Sequence, residues 1–294
     1  MSCQSDPILS KHRTYMSDQA KNRWPVTGHK AISDRRCRTL GAVTLSETQG
    51  IRASTSRTAT ELAADLSSVL ADLGPLVVAF SGGVDSALLA VAAHRADIDR
   101  SGFADVVRSI AVTASSASLA SGELDHCREL AARFGFDWRS AATDELNDPR
   151  YLANDDDRCF WCKSALMDQL EPLADGRLVT LGVNLDDLGD HRPGQQAAAE
   201  RGARFPLVEA GFTKADVRLL ARHWEVPVWD RPAMPCLSSR IPYGTAVSVP
   251  LLSRIDRAEA ALRNLGFVDV RVRHYDDTAR LEVPSLTTSA SFQA

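Results

Sequence analysis

The sequence predicts an α/β fold, in which a doubly wound, mostly parallel sheet is covered by helices and followed by a small α+β domain. Short apolar runs rich in β-branched residues indicate strands that are buried on both faces. Segments with helical periodicity separate these runs, and such alternation is typical of parallel sheets with crossover helices. After a proline-rich segment at 227–243 the alternation ends and a different pattern begins.

The alternating part of the chain opens with a predicted helix near Thr60, in which leucines recur at helical spacing until Gly74 stops it. The run 76–80 follows as the first buried strand. Further on, Thr213 is the expected N-cap of another helix, with Asp216 as its capping-box partner. The other predicted elements are a helix over 86–94, a strand over 109–112, a helix over 122–134, a strand over 178–183 and a helix over 213–224.

The last part of the chain has the pattern of a helix followed by a β-hairpin. The amphipathic helix covers 251–265. Residues 268–273 and 279–283 alternate like hairpin strands, and the acidic pair that starts at Asp276 favours a turn between them. We therefore expect a small α+β domain over 236–284.

Composition and charge indicate how the rest of the chain is organised and which partners it has. Residues 1–57 carry ten Lys and Arg against four acids and lack a hydrophobic period, so we expect a disordered leader. The α/β domain is expected over 58–235, and a frayed tail over 285–294. The formal charge of −4 gives no general attraction to polyanions, so nucleic acid is not an expected partner. Since no signal peptide or membrane-spanning apolar run is found, we expect a cytoplasmic protein.

One motif lies where the first buried strand meets a helix. The sequence Ser-Gly-Gly-Val-Asp-Ser gathers backbone N–H groups and the positive helix end at one point, which suits a pyrophosphate. No Lys follows the last glycine, as a Walker motif requires, so cleavage between the α- and β-phosphates is favoured over kinase-type transfer. A glycine-rich turn without a ligand is the alternative. The residues predicted to bind the phosphates are Ser81, Gly82, Gly83, Val84, Asp85 and Ser86.

Three cysteines point to sulfur chemistry. Cys159 and Cys162 form a Cys-x-x-Cys pair at a predicted helix start, and Cys236 lies in a distant loop. Such a set can hold an iron-sulfur cluster that leaves one iron open for an extra sulfide. A zinc clip, a transient disulfide or packing thiols are alternatives for the pair, and a buried small hydrophobe is the alternative for Cys236.

The phosphate motif resembles that of the PP-loop superfamily of ATP pyrophosphatases, whose members adenylylate a carboxylate or carbonyl oxygen and release pyrophosphate. Residues from about 76 to 284 resemble the LarE family. LarE exchanges carboxylates of a pyridinium biscarboxylic acid mononucleotide for thiocarboxylates, on the way to the nickel-pincer cofactor. The resemblance implies ATP, Mg²⁺ and this mononucleotide as ligands, and a homo-oligomer. It rests on the stretches 81–86, 158–163, 182–194, 235–244 and 270–274.

The resemblance also implies roles for single residues. Cys236 matches the sulfur-donor position, which becomes dehydroalanine in one branch of the family. In a three-cysteine branch a four-iron four-sulfur cluster carries the sulfide, and because this sequence has Cys159, Cys162 and Cys236, we expect that cluster. Glu259 and Glu282 match acidic positions that bind metal. Nucleotide, magnesium or phosphate binding is further expected of Asn184, Asp187, Ser239, Arg240, Arg271 and Arg273.

Two other functions compete with this prediction. A tRNA-thiolating PP-loop protein is the first, but it needs a basic surface with interleaved aromatics, which the sequence lacks beyond the leader. An inactive, nucleotide-binding remnant is the second. One departure from the family favours it, because the continuation of the small domain expected after Pro284 is not recognisable. A truncated C-terminal domain is therefore expected.

Overall fold

A computed structural model of the chain describes residues 57–100, 107–189, 192–267 and 269–283. All of them belong to one compact unit, Ser54–Ala294. The predicted leader, except for Arg57, and the predicted tail lie outside the described residues. Arg57 donates to Asp216 at 2.9 Å and to the carbonyl of Gly211 at 2.6 Å, so fixed contacts begin ahead of the first helix. The domain boundaries at 235 and 284 stay predictions.

The main sheet consists of β1 (Leu76–Ala79), β2 (Ile110–Ser115), β3 (Asp137–Ala142) and β4 (Leu178–Leu181). These strands are all parallel, in the order β3-β2-β1-β4. Their register pairs Val77 with Ile110 on one side and with Val179 on the other. Because the strands point the same way, their carboxyl ends meet at one edge, where sheets of this kind bind ligands.

The helices are α1 (Ala59–Leu73), α2 (Val84–Arg100), α3 (Glu123–Phe134), α4 (Pro149–Ala153), α5 (Arg158–Leu170), α6 (Pro193–Glu200), α7 (Pro206–Glu209), α8 (Lys214–His223) and α9 (Val249–Asn264). Successive residues of β1 face opposite sides of the sheet. Leu76 and Val78 pack with α1, α2, α3 and α8, whereas Val77 packs with α5 and α6. Helices thus cover both faces, which confirms the predicted doubly wound α/β class.

The capping box predicted for α8 is confirmed. Thr213 Oγ1 accepts a hydrogen bond from the backbone N–H of Asp216 at 3.3 Å, and the Asp216 carboxylate accepts from Thr213 N at 2.9 Å. Thr58 and Glu61 form the same arrangement at the start of α1. Two helices that pack on one face of the sheet therefore begin at points fixed by local sequence.

Several elements differ from the sequence prediction, which includes neither strand β3 nor helices α4, α6 and α7. The pattern does not predict β3, because its side chains are exposed or half-buried and form no apolar run, and its Asp137 and Arg139 form an exposed ion pair. Helix α2 continues to Arg100, beyond the predicted end at 94. In its last turns the buried Asp97 accepts from Ser109 N at 2.7 Å, which ties the helix to the start of β2.

The C-terminal part has the predicted helix and hairpin. Strands β5 (Arg271–Tyr275) and β6 (Thr278–Glu282) pair antiparallel around a turn in which Asp276 has φ 48°, while the predicted strand start at 268 lies outside the described residues. None of the helices that the structure describes is long and apolar enough to cross a membrane. A third core cluster joins α4, the segment after Cys236 and α9, through Tyr151, Leu237, Ile241, Val247, Leu252 and Ile255.

Candidate active site

The Ser81–Ser86 loop closes on itself where β1 ends and α2 begins. Ser86 Oγ accepts from Ser81 N at 3.2 Å and donates to the carbonyl of Gly83 at 3.1 Å. Gly82 has φ 74°, and a Cβ at this position would lie 2.9 Å from Cys127 Sγ. Both the left-handed backbone and the packing beneath the loop therefore require glycine here.

Asp85 of the loop is held through both carboxylate oxygens. Lys214 Nζ lies 2.5 Å from Oδ2, and Asn184 Nδ2 donates to Oδ1 at 2.9 Å. The Asn184 amide also donates to Asp187 at 2.8 Å. The residues that follow β4 thus lie beside the phosphate loop, and Asp85 links the loop to them and to α8.

Sequence analysis does not single out Lys214. The residue occupies the first position of α8, where a cation is unfavourable in the field of the helix dipole. This unfavourable position is the signal that the sequence offered. With its side chain 37% exposed beside Asp85, Lys214 also offers a positive charge to an anion bound at the loop.

Gly182, which directly follows β4, lies against the backbone of the phosphate loop. The sequence analysis did not predict this contact. A Cβ on Gly182 would lie 2.7 Å from Ser86 N and 2.8 Å from the carbonyl carbon of Asp85. Because both neighbours are backbone atoms, a side chain at this position would push the phosphate loop away. A glycine directly after a buried strand is a recognisable signal of such a close approach.

A cavity of about 290 Å³ opens at the carboxyl ends of β1 and β2. Its walls bring Ser81 of the phosphate loop together with Cys162 and Cys236. Three charged side chains, Glu123, Glu145 and Lys163, line the same cavity. A phosphate-binding loop and two of the candidate sulfur residues therefore share one chamber, although they lie far apart in the sequence.

The two cysteines of the Cys-x-x-Cys pair have different surroundings. Burial raises the pKa of Cys162 to about 12, while Lys163 acts in the opposite direction and Cys236 adds to the rise. The Cys162 thiol is therefore neutral at physiological pH. Cys159 lies one turn earlier on α5 and is exposed. The pair is thus split between the cavity and the protein surface.

The cysteines do not assemble a metal site in this arrangement. Within the described ranges, no three Cys, His, Asp or Glu side chains lie close enough together to hold a metal ion. Cys162 and Cys236 line one cavity, but Cys159 does not line it with them. The geometry therefore does not fit the three-cysteine ligand set of an iron-sulfur cluster.

The segment after Cys236 is held by the α/β part of the chain. Leu237 N donates to the carbonyl of Ser118 at 2.8 Å, and Ser238 Oγ lies 2.6 Å from the hydroxyl of Tyr151. Tyr151 is buried, and this burial raises the pKa of its hydroxyl, which stays protonated. Cys236 is consequently carried on a fixed backbone.

Arg240 lies at the end of the same segment and connects it to helix α9. Its guanidinium donates to Glu259 at 2.8 and 3.2 Å and to the carbonyl of Cys236 at 3.1 Å. Glu259 on α9 is fully buried and accepts further hydrogen bonds from Val272 N and from Arg263. Phosphate binding by Arg240 and metal binding by Glu259 stay predictions, and the observed contacts connect both residues to the Cys236 segment.

The hairpin places Arg271 and Arg273 on one strand, beside the Cys236 segment. Arg273 donates to Glu282 at 2.7 Å and to the carbonyl of Ser239 at 3.2 Å, and Arg271 donates to the carbonyl of Ala233 at 3.1 Å. The hydrogen bond from Arg273 holds the pKa of Glu282 below its ordinary value. The ligands of Arg271, Arg273, Glu282 and Ser239 stay a prediction. None of these four side chains lines the cavity.

The parallel sheet, covered on both faces and carrying the Ser81–Ser86 loop at the end of β1, defines an α/β protein of the PP-loop class. The chain is 44% identical over 218 residues to the uncharacterized protein slr1717 of Synechocystis, a match that covers 72% of this chain and 78% of that protein. It is 37% identical over 224 residues to the pyridinium-3,5-bisthiocarboxylic acid mononucleotide synthase of Lactiplantibacillus plantarum, covering 75% of this chain and 79% of that enzyme.

These matches show that the chain belongs to the family of pyridinium-3,5-bisthiocarboxylic acid mononucleotide synthase, the LarE family, as the sequence motifs predicted. Among solved structures, NMN synthetase from Francisella tularensis aligns with a TM-score of 0.47 and 18% identity, over 60% of this chain and 76% of that chain. No protein-family model matches the sequence.

Proposed function

We propose that the chain is an ATP-dependent sulfur transferase that converts a carboxylate of pyridinium biscarboxylic acid mononucleotide into a thiocarboxylate during nickel-pincer cofactor biosynthesis. The observation that carries this proposal is the cavity that Ser81, Cys162 and Cys236 line together. A carboxylate that is activated at the phosphate loop can therefore react with a thiol inside the same cavity. Membership of the family supports the choice of substrate.

The first half of the reaction belongs to the phosphate loop. Backbone N–H groups at the start of α2 and the hydroxyls of Ser81 and Ser86 donate to the phosphates of ATP, and Lys214 adds a positive charge. Asp85 and Asp187 are the carboxylates that would hold Mg²⁺, which would offset the negative charge of the phosphates. The substrate carboxylate attacks the α-phosphorus, pyrophosphate leaves, and an acyl adenylate forms.

The second half belongs to Cys236. Its thiolate attacks the acyl carbon and expels AMP, which leaves a thioester. Removal of the α-proton of residue 236 then breaks the Cβ–Sγ bond, so the sulfur leaves as the thiocarboxylate and dehydroalanine remains. Lys163 lines the same cavity and offsets the negative charge that develops on the leaving AMP.

The four-iron four-sulfur cluster stays a prediction. The described arrangement brings Cys162 and Cys236, but not Cys159, to the cavity, so the proposed reaction uses Cys236 alone as the sulfur donor. Anaerobic reconstitution tests the prediction directly. Bound iron and a broad charge-transfer absorption would support the cluster, whereas their absence would leave Cys236 itself as the sulfur donor.

The proposed function is tested by incubating the purified full chain with ATP, Mg²⁺ and the biscarboxylic mononucleotide. Mass spectrometry should detect AMP, exchange of oxygen for sulfur in the mononucleotide, and loss of hydrogen sulfide from the peptide that contains Cys236. The Cys236→Ala variant should release pyrophosphate and retain the acyl adenylate, without forming the thiocarboxylate. Cys159→Ala is the matched control, because it keeps sulfur transfer if Cys236 is the donor and loses it if a cluster is.

Two outcomes would contradict the proposal. Absence of AMP under reducing conditions with iron supplied would indicate a nucleotide-binding protein without turnover. Thiolation of tRNA in place of the mononucleotide would assign the chain to the tRNA-thiolating branch of PP-loop proteins.

A further inference from the structure

Glu145 is a buried carboxylate that the proposed reaction leaves without a role. It is 2% exposed and opens a short 3-10 turn, Glu145–Asn147, that follows β3. Its Oε1 accepts hydrogen bonds from Ser116 Oγ at 2.5 Å and from Ser118 Oγ at 3.0 Å. Within the described part of the chain, Oε2 is buried without a hydrogen-bond partner. A carboxylate buried in this way costs free energy, so stability does not explain its presence.

Two hydrogen bonds through Ser118 connect Glu145 to the backbone of Leu237. The hydroxyl of Ser118 donates to Glu145, and the carbonyl of the same serine accepts from Leu237 N at 2.8 Å. Leu237 immediately follows Cys236. A single residue, Ser118, thus stands between the buried carboxylate and the backbone that carries the thiol.

A second connection starts from the same turn. Helix α4 follows Glu145–Asn147, and its Tyr151 forms a hydrogen bond with Ser238 Oγ at 2.6 Å. The two residues that follow Cys236 are therefore held by Ser118, which contacts Glu145, and by Tyr151, which lies on the helix that follows the Glu145 turn. Glu145 itself lines the cavity together with Cys236.

We propose that Glu145 is a positioning residue for sulfur transfer, which holds the turn of Ser116 and Ser118 against Leu237 and thereby fixes Cys236 at the cavity. This inference rests on the proposed function and concerns its second half. A displacement of about 1 Å can cost on the order of 100-fold in rate. Adenylylation depends on the Ser81–Ser86 loop and on α8, so it should not change when Glu145 is replaced.

The test compares Glu145→Ala with Glu145→Gln, which keeps a carbonyl oxygen for both serines. In Glu145→Ala, the single-turnover rate of thiocarboxylate formation should fall roughly 100-fold, while pyrophosphate release and the KM for ATP stay unchanged. Glu145→Gln should restore most of the rate. Ser118→Ala removes one hydroxyl but keeps the carbonyl that holds Leu237, so it should give an intermediate loss and serves as a second variant if Glu145→Ala folds poorly.

A measurement without turnover makes the test independent of the proposed substrate. Iodoacetamide should alkylate Cys236 faster in Glu145→Ala than in the unaltered chain, with Cys159 as internal reference in samples of equal iron content. An unchanged ratio of Cys236 to Cys159 alkylation, an equal slowing of both half-reactions, or a Glu145→Gln variant as slow as Glu145→Ala would overturn the inference. Failure of the unaltered chain to form a thiocarboxylate would instead refute the proposed function.

Discussion

At the scale of single residues, one turn of α5 separates two thiols with different chemistry. Cys159 is exposed, whereas Cys162 lines the cavity. Only the thiolate form of a cysteine reacts as a nucleophile. The pKa of Cys162 is about 12 because desolvation of its half-buried side chain disfavours the thiolate, so its reactivity depends strongly on pH. The two positions of the Cys-x-x-Cys motif are therefore not equivalent in this protein.

We expect iodoacetamide to alkylate Cys159 much faster than Cys162 in iron-free protein at pH 8. With a pKa of about 12, only about one Cys162 in ten thousand is a thiolate at that pH, and the rate should rise with pH. Peptide mass spectrometry measures both rates in one sample. Protein unfolded in urea is the control, in which the two cysteines should react alike; equal rates in the folded protein would contradict the assignment.

Features that are encoded by adjacent residues are the easiest to predict from sequence. The Ser81–Ser86 loop was predictable because strand, glycines and helix start are adjacent in the sequence. Lys214 and Glu145 were missed because each acts through a partner far along the chain, namely Asp85 for the lysine and Ser118 for the glutamate.

At the scale of elements, the N-terminus of α8 links local sequence to the phosphate loop. Thr213 and Asp216 form the capping box. Lys214, which directly follows Thr213, forms an ion pair with Asp85. The cap therefore fixes the start of the helix and, with it, the position of the lysine. Loss of the cap should therefore lower the free energy of unfolding.

Thr213→Ala should lower the free energy of unfolding by about 1 kcal/mol, because the side-chain acceptor for Asp216 N is lost. Urea denaturation followed by circular dichroism measures the change. Ser67→Ala is the matched control, since Ser67 lies exposed in the interior of α1 and should cost nothing. A Thr213→Ala variant as stable as the control would show that the cap does not contribute.

Helices and strands were predictable where the burial of their side chains produces a regular hydrophobic pattern in the sequence. Strands β1, β2 and β4 have continuous apolar runs because both faces of the sheet are covered, and α1 and α9 show a clear helical period. The edge strand β3 and the short helices α4 and α7 have no such pattern. Their positions are set by hydrogen bonds and packing from other parts of the chain, which a local pattern does not record.

At the scale of the whole molecule, a buried ion pair joins the Cys236 segment to helix α9. Arg240 and Glu259 are 1% and 0% exposed, and each makes further hydrogen bonds to backbone groups. Removing one member of such a pair leaves the other charge buried without compensation. The pair is therefore a sensitive point for the stability of the fold.

Glu259→Gln should lower the free energy of unfolding by about 3 to 5 kcal/mol, because the charge of Arg240 is left uncompensated. Chemical denaturation measures this loss. Asp137→Asn is the control, since its exposed pair with Arg139 should contribute less than about 1 kcal/mol. If both variants lose the same small amount, the buried pair does not join the two parts as described.

The Cys236 segment also has a consequence for the order of folding. Its contacts come from Ser118 and Tyr151 on one side and from Glu259 on the other, so they close loops of very different length along the chain. Long-range contacts of this kind form late, after the elements that supply them. A polypeptide still emerging from the ribosome lacks the contacts that hold the Cys236 segment until α9 and β5 are complete. Amides of this segment should accordingly gain hydrogen-exchange protection after those of β1 and β2.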